Sequence, residues 1–166
     1  MKIKTIKCNK FNYNYWYKRK YKEIEAIVIH NTASSGHDTA ENNGVYFKRE
    51  RVGASANYFI DRAGNIVRSI PMCRIAYAVE SKGMKLIDKW RNYNTVSIEL
   101  CDIMQEDISE KQLEALKYLI GRIKKKCKKP NMEIIRHYDV CRKNCPARYV
   151  DNKKFEELKR RLTNEW

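Results

Sequence analysis

The sequence predicts an α/β fold, a single domain with a mixed central β-sheet flanked by helices. Three observations predict it. Apolar runs rich in β-branched residues at 26–29 and 95–100 read as strands buried on both faces. Helical patterns alternate with these runs along the chain, so helices must cover the faces of the sheet. The chain has 166 residues, 43% of them hydrophobic, with no repeat and no linker-like tract, which suits one core.

Residues 1–23 form a basic-aromatic lead-in. Tyr13, Tyr15, Trp16, Tyr17 and Tyr21 interleave with Lys18, Arg19, Lys20 and Lys22, and the rings are expected to pack on the edge of the domain at 24–166. The run at 26–29 is the first buried strand, followed by His30 and a polar loop. A helix is predicted over 39–49. Segments 56–61 and 65–70 flank Arg62-Ala63-Gly64 and form a hairpin. After the strand at 95–100, Ser109 and Gln112 make a capping signature, and Leu113, Leu116, Ile120 and Ile123 follow at helical spacing. Lys124, Lys125 and Lys126 complement the dipole at the end of that helix. A strand at 132–136 and a helix marked by Phe155, Leu158 and Leu162 complete the order.

Thirty-five Lys and Arg against 20 Asp and Glu leave a net charge of +15, which calls for a polyanionic partner. Nucleic acid, an anionic membrane and a cell-wall polymer all qualify. No apolar run reaches the length that crosses a bilayer, so membrane insertion is not expected. Residues 1–22 contain no apolar core of a secretory signal. The six cysteines are therefore expected to stay reduced.

Only three histidines occur, and two share a context: His30 and His137 each follow a predicted strand. Ligands gather beyond strand ends in α/β sheets, so two imidazoles there suggest a site. Cys145 lies eight residues beyond His137. Two His and one Cys would give zinc three protein ligands and leave a fourth position for water, the composition of a catalytic site. On spacing alone, Cys141 and Asp139 serve as the third ligand about as well. His37, in a loop, is expected to be neither ligand nor catalyst.

Five ordered segments resemble the motifs of the zinc-dependent N-acetylmuramoyl-L-alanine amidases, the family of amidase-type phage lysozymes and peptidoglycan recognition proteins. They are Ile27-Val28-Ile29-His30-Asn31-Thr32-Ala33, Ser55-Ala56-Asn57-Tyr58-Phe59-Ile60-Asp61 with Gly64, Val96-Ser97-Ile98-Glu99-Leu100, Ile135-Arg136-His137-Tyr138-Asp139 and Lys143-Asn144-Cys145-Pro146. The resemblance implies that His30, His137 and Cys145 hold Zn2+. It prefers Cys145 to Cys141 because the family's ligand precedes proline and follows a lysine by two. It implies hydrolysis of the amide between the lactyl group of N-acetylmuramic acid and L-alanine. Glu99 then becomes the acid-base group, and Lys143 a stabiliser of the oxyanion.

The sequence also departs from the family. Asn57 stands where one branch carries a catalytic tyrosine, and is assigned to substrate binding. Ala76-Tyr77-Ala78-Val79 stands where many members have Ala-Trp-His-Ala. The expected partners are bacterial peptidoglycan and anionic wall polymers, with no specific nucleic acid. The expected protein is a monomeric wall-lytic amidase, held in the cytoplasm of the producing cell until release. A non-cutting peptidoglycan-binding module and a basic nucleic-acid-binding protein are the rival readings. Presence of the cysteine ligand speaks against the first, and lack of a nucleic-acid-binding motif against the second.

Overall fold

The computed structural model describes residues 1–32, 38–103 and 106–163. Its strands are β1 (Ile3–Thr5), β2 (Tyr13–Asn14), β3 (Ala26–Asn31), β4 (Tyr58–Ile60), β5 (Ile66–Arg68), β6 (Ile75–Ala76), β7 (Thr95–Leu100) and β8 (Glu133–Arg136). The helices are α1 (Ala40–Arg49), α2 (Glu110–Cys127), α3 (His137–Cys141) and α4 (Asn152–Thr163). Six strands form one sheet in the order β1-β5-β4-β7-β3-β8, and β2 pairs with β6 separately. Only the β4–β5 hairpin is antiparallel within the large sheet, so the sheet is mixed.

Strand alternation divides the core. Ile27, Ile29, Ile60, Val96 and Ile98 face α2 and α4, meeting Leu116, Leu119, Ile123, Phe155 and Leu158. On the other face, Ala26 and Val28 meet Val79, Trp90 and Val140, while Phe59 and Val67 meet Phe47 of α1. Thr39 caps α1 by accepting from the Asn42 N–H, and Ser109 caps α2 by accepting from Gln112. Gly64 closes the β4–β5 turn at φ +83, where a Cβ would lie 2.8 Å from the Lys111 carbonyl. No described helix is long and apolar enough to cross a membrane.

Two expectations change. The lead-in does more than pack on an edge, because β1 runs parallel to β5 as the outermost strand of the sheet. Within that segment Arg19 is 2% exposed and donates to the Met72, Asn92 and Tyr93 carbonyls. His137 follows its strand as expected, and the short helix that it opens is what the sequence did not predict. Asp139 accepts from the Arg136 N–H at 2.8 Å and pairs with its guanidinium, which turns the chain into α3.

Candidate metal centre and active-site cleft

The parallel register of β3 and β7 sets His30 directly beside Glu99, and β4 adds Phe59 beside Glu99. These residues therefore share one sheet face, near the C-terminal strand ends. His137 arrives from the start of α3, and Cys145 from the loop that follows it. Asn31 pins that loop, accepting from the Ala147 N–H at 2.7 Å, while the Cys145 carbonyl accepts from Tyr138 at 2.8 Å.

His30, His137 and Cys145 are all buried, and each offers a ligand atom within 4.8 Å of the others. The His137 Nε2 lies 3.2 Å from the Val79 carbonyl, which can only accept. That nitrogen therefore carries the proton, and Nδ1 keeps a free lone pair. The His30 Nε2 is 3.2 Å from the Ser97 hydroxyl, while its Nδ1 faces the Cys145 Sγ at 3.7 Å. Hydrogen bonds to the far ring nitrogen orient a metal-ligating imidazole in this way.

Protonation states agree with that role. Burial, the other imidazole and Lys143 hold His30 well below its ordinary range. Burial and Lys143 take His137 down to about 4. Both rings are thus neutral and able to ligate at neutral pH. The Cys145 thiol is pushed up to about 12, chiefly by burial, and the Asn31 N–H opposes this by donating to Sγ at 3.4 Å. A cation held between the three side chains would favour its thiolate.

Cys141 and Asp139, level with Cys145 on spacing, are not in the group. The Cys141 thiol points to the Met84 sulfur at 3.9 Å, and the Asp139 carboxylate is engaged by Arg136.

Glu99 Oε1 stands 3.9 Å from His30 Nδ1, and about a fifth of the side chain stays open. Its Oε2 is buried with no hydrogen-bond partner among the described residues. Burial lifts the carboxyl to about 7, with Lys143 pulling it down and Asp38 pushing it up. Glu99 and the exposed Lys143 line a cleft of about 700 Å³, together with Thr32, Asp38, Asn43, Tyr46 and Phe59. Asp38 accepts from Thr32 and Asn43, which ties the start of α1 to this wall. No motif or periodicity singled out Asp38, Asn43 or Tyr46 beforehand.

Asn57 is not brought to the cleft. It is fully buried, its Oδ1 accepting from the Ser97 N–H at 3.0 Å and its Nδ2 donating to the Ile70 carbonyl at 3.4 Å. With both ends of the amide used inside the core, none is left for substrate. His37 lies outside the described residues.

Fold and site together define an α/β protein with a candidate mononuclear metal centre of two histidines and a cysteine, beside a cleft lined by a carboxyl of raised pKa. The model of the N-acetylmuramoyl-L-alanine amidase family matches residues 20–148, and the chain belongs to that family. It is 29% identical over 159 residues to the N-acetylmuramoyl-L-alanine amidase BlyA of Bacillus subtilis (strain 168), covering 86% of this chain and 42% of BlyA. It is 28% identical over 136 residues to the amidase CwlL of Bacillus licheniformis, covering 78% of this chain and 38% of that protein. The chain thus spans about two fifths of the length of these relatives. The fold matches the catalytic domain of XlyA with TM-score 0.77 at 17% identity, over 98% of this chain and 99% of that one. A mutant endolysin from Bacillus subtilis matches with the same score, identity and coverage.

Proposed function

We propose that the protein is a zinc-dependent peptidoglycan hydrolase that cleaves the amide between the N-acetylmuramic acid lactyl group and L-alanine. The observation that carries this reading is the convergence of three buried donors beside the Glu99 carboxylate. His30 Nδ1, His137 Nδ1 and Cys145 Sγ would hold the ion. Zinc so held supplies a Lewis acid and brings the pKa of a bound water to about 7.

Glu99 takes a proton from the attacking water and returns it to the departing L-alanine nitrogen. A carboxyl near neutrality suits both transfers, because it gives up and accepts a proton at similar cost. Lys143, at the cleft rim, faces the carbonyl oxygen as negative charge develops there. Ser97 and the Val79 carbonyl keep the two imidazoles in the ligating tautomer. The partners are peptidoglycan and anionic wall polymers, and the protein acts as a monomer of the endolysin or autolysin type, released from the cytoplasm of the cell that makes it.

The test is digestion of purified peptidoglycan by zinc-loaded protein, followed by mass spectrometry of the new ends. New L-alanine amino termini without new reducing sugars are expected, with loss of activity on chelation. New reducing sugars would overturn the reading. Intact wall retained on the protein would instead favour a binding module.

A further inference from the structure

A second cavity, of about 390 Å³, lies on the sheet face opposite the catalytic cleft. Tyr58 and Arg68, a cross-strand pair of β4 and β5, form its floor. Strand alternation turns this pair away from Phe59 and Glu99. One wall is the face of α2 on which Tyr118, Arg122 and Lys126 recur at four-residue spacing.

Three cations line the cavity and no carboxylate does. Each is steadied by a neutral neighbour. Arg68 Nη2 donates to Thr5 at 3.0 Å, Arg122 Nη1 donates to the Tyr118 hydroxyl at 3.0 Å, and Lys126 Nζ sits 5.3 Å over the Tyr21 ring. None of the three joins an ion pair among the described residues.

One buried group adds independent support. Tyr58 is 6% exposed, lines the cavity, and has no hydrogen-bond partner for its hydroxyl among the described residues. Burial pushes that phenol up to about 12, and the charges of Arg68 and Arg122 oppose the rise. Arg19 donates its buried Nε to the carbonyl of Met72, itself a lining residue, and so fixes that part of the wall.

We propose that this cavity binds the phosphodiester group of an anionic polyol-phosphate or sugar-phosphate polymer of the bacterial wall. Arg68 on the floor and Arg122 and Lys126 on the α2 wall offer donors from two sides of the cavity, which suits the splayed oxygens of a phosphate better than a flat carboxylate. Guanidinium forks are the groups that grip such oxygens in pairs. Choice of a wall polymer rests on the amidase reading above; the phosphate chemistry does not.

The test is calorimetric titration of zinc-loaded protein, at one fixed salt concentration, with inorganic phosphate, a short glycerol-phosphate oligomer and a DNA duplex of matched phosphate content. The variants are Arg68→Gln/Arg122→Gln, Tyr58→Phe, and a control removing equal charge from α4, Lys153→Gln/Lys154→Gln. Removing two charge-assisted donors is expected to weaken oligomer binding by about tenfold or more. Tyr58→Phe is expected to weaken it a few-fold, and the control to leave it within about twofold. All three variants keep wild-type cleavage of a soluble muropeptide. Equal weakening by the control reduces the effect to net charge and overturns the proposal, as does the absence of oligomer binding. DNA binding as tight as the oligomer overturns the choice of a wall polymer. Oligomer binding with no amide cleavage overturns the amidase reading and leaves the cavity assignment standing.

Discussion

Replacing Glu99 by Gln should abolish amide cleavage and at the same time stabilise the metal-free protein, in a manner that depends on pH. The carboxyl has an ordinary value of 4.5 and is lifted to about 7 by burial. Its folded value lies above the unfolded one, so the folded state prefers the protonated form. The stability that the neutral form contributes is full below 4.5 and is lost as pH rises through about 7. At about 1.4 kcal/mol per pH unit of separation, the loss approaches about 3 kcal/mol by pH 8 and is under about 1 kcal/mol near pH 5. Glutamine keeps the shape and never ionises, so it escapes that loss.

The two histidines act with the opposite sign. Their folded values are lowered, His137 to about 4, so their contribution is present above 6.5 and is lost as pH falls. Wild-type metal-free protein is therefore squeezed from both sides, and Glu99→Gln removes only the alkaline squeeze. Urea unfolding in chelator at pH 5 and pH 8, on both proteins, reads this directly. The variant should gain little at pH 5 and about 2 to 3 kcal/mol at pH 8. A variant no more stable at pH 8 than wild type would refute the placement of a desolvated carboxylate beside the metal centre.

Three further outcomes follow from the same geometry. Zinc binding at pH 5.5 should release one proton from Cys145 and at most one more from Glu99, because the imidazoles are already neutral; titration in buffers of different ionisation enthalpy counts them, and three or more protons would contradict those neutral states. Asn57→Ala should destabilise the protein by about 1 to 3 kcal/mol in urea, since the buried Ser97 N–H loses its acceptor, and should leave KM unchanged; a raised KM with intact stability would return Asn57 to the cleft. Lysis of whole walls should slow steeply as salt rises from about 50 to 200 mM while cleavage of a neutral soluble muropeptide changes little, which a paired rate measurement checks; equal salt sensitivity of the two rates would argue against attraction of the +15 chain to the wall.

Residues on strands were the legible part of the site. Alternation along the runs at 26–29 and 95–100 puts His30 and Glu99 at strand ends, and parallel pairing then sets them side by side. The third donor was not legible from spacing. Cys141, Asp139 and Cys145 differ only in what surrounds them, and it takes the Arg136 pairing to remove Asp139 and the turn toward Met84 to remove Cys141. Loop residues carry no period, which is why Asp38 escaped notice. The edge strand β1 escaped because only Ile3 of its three residues is even partly buried, and one half-buried side chain leaves no alternation to read.

Asn57 shows a different limit. Alternation puts it on the same side as Phe59 and Glu99, opposite Tyr58, and Tyr58 does lie in the core facing α2. Pointing to the side that carries the cleft is not the same as reaching it. The segment after β5 returns over Asn57, where the N–H groups of Ser69 and Ile70 donate to its carbonyl and the Ile70 carbonyl takes its amide. A periodic pattern reports which face a side chain leaves from, because that is fixed by the backbone of its own strand. What covers that face is set by chain arriving from elsewhere, and no local pattern contains it. The same distinction separates Glu99, with one oxygen left unpartnered among the described residues, from Asn57, bonded at both ends of its amide inside the core two positions away from Phe59.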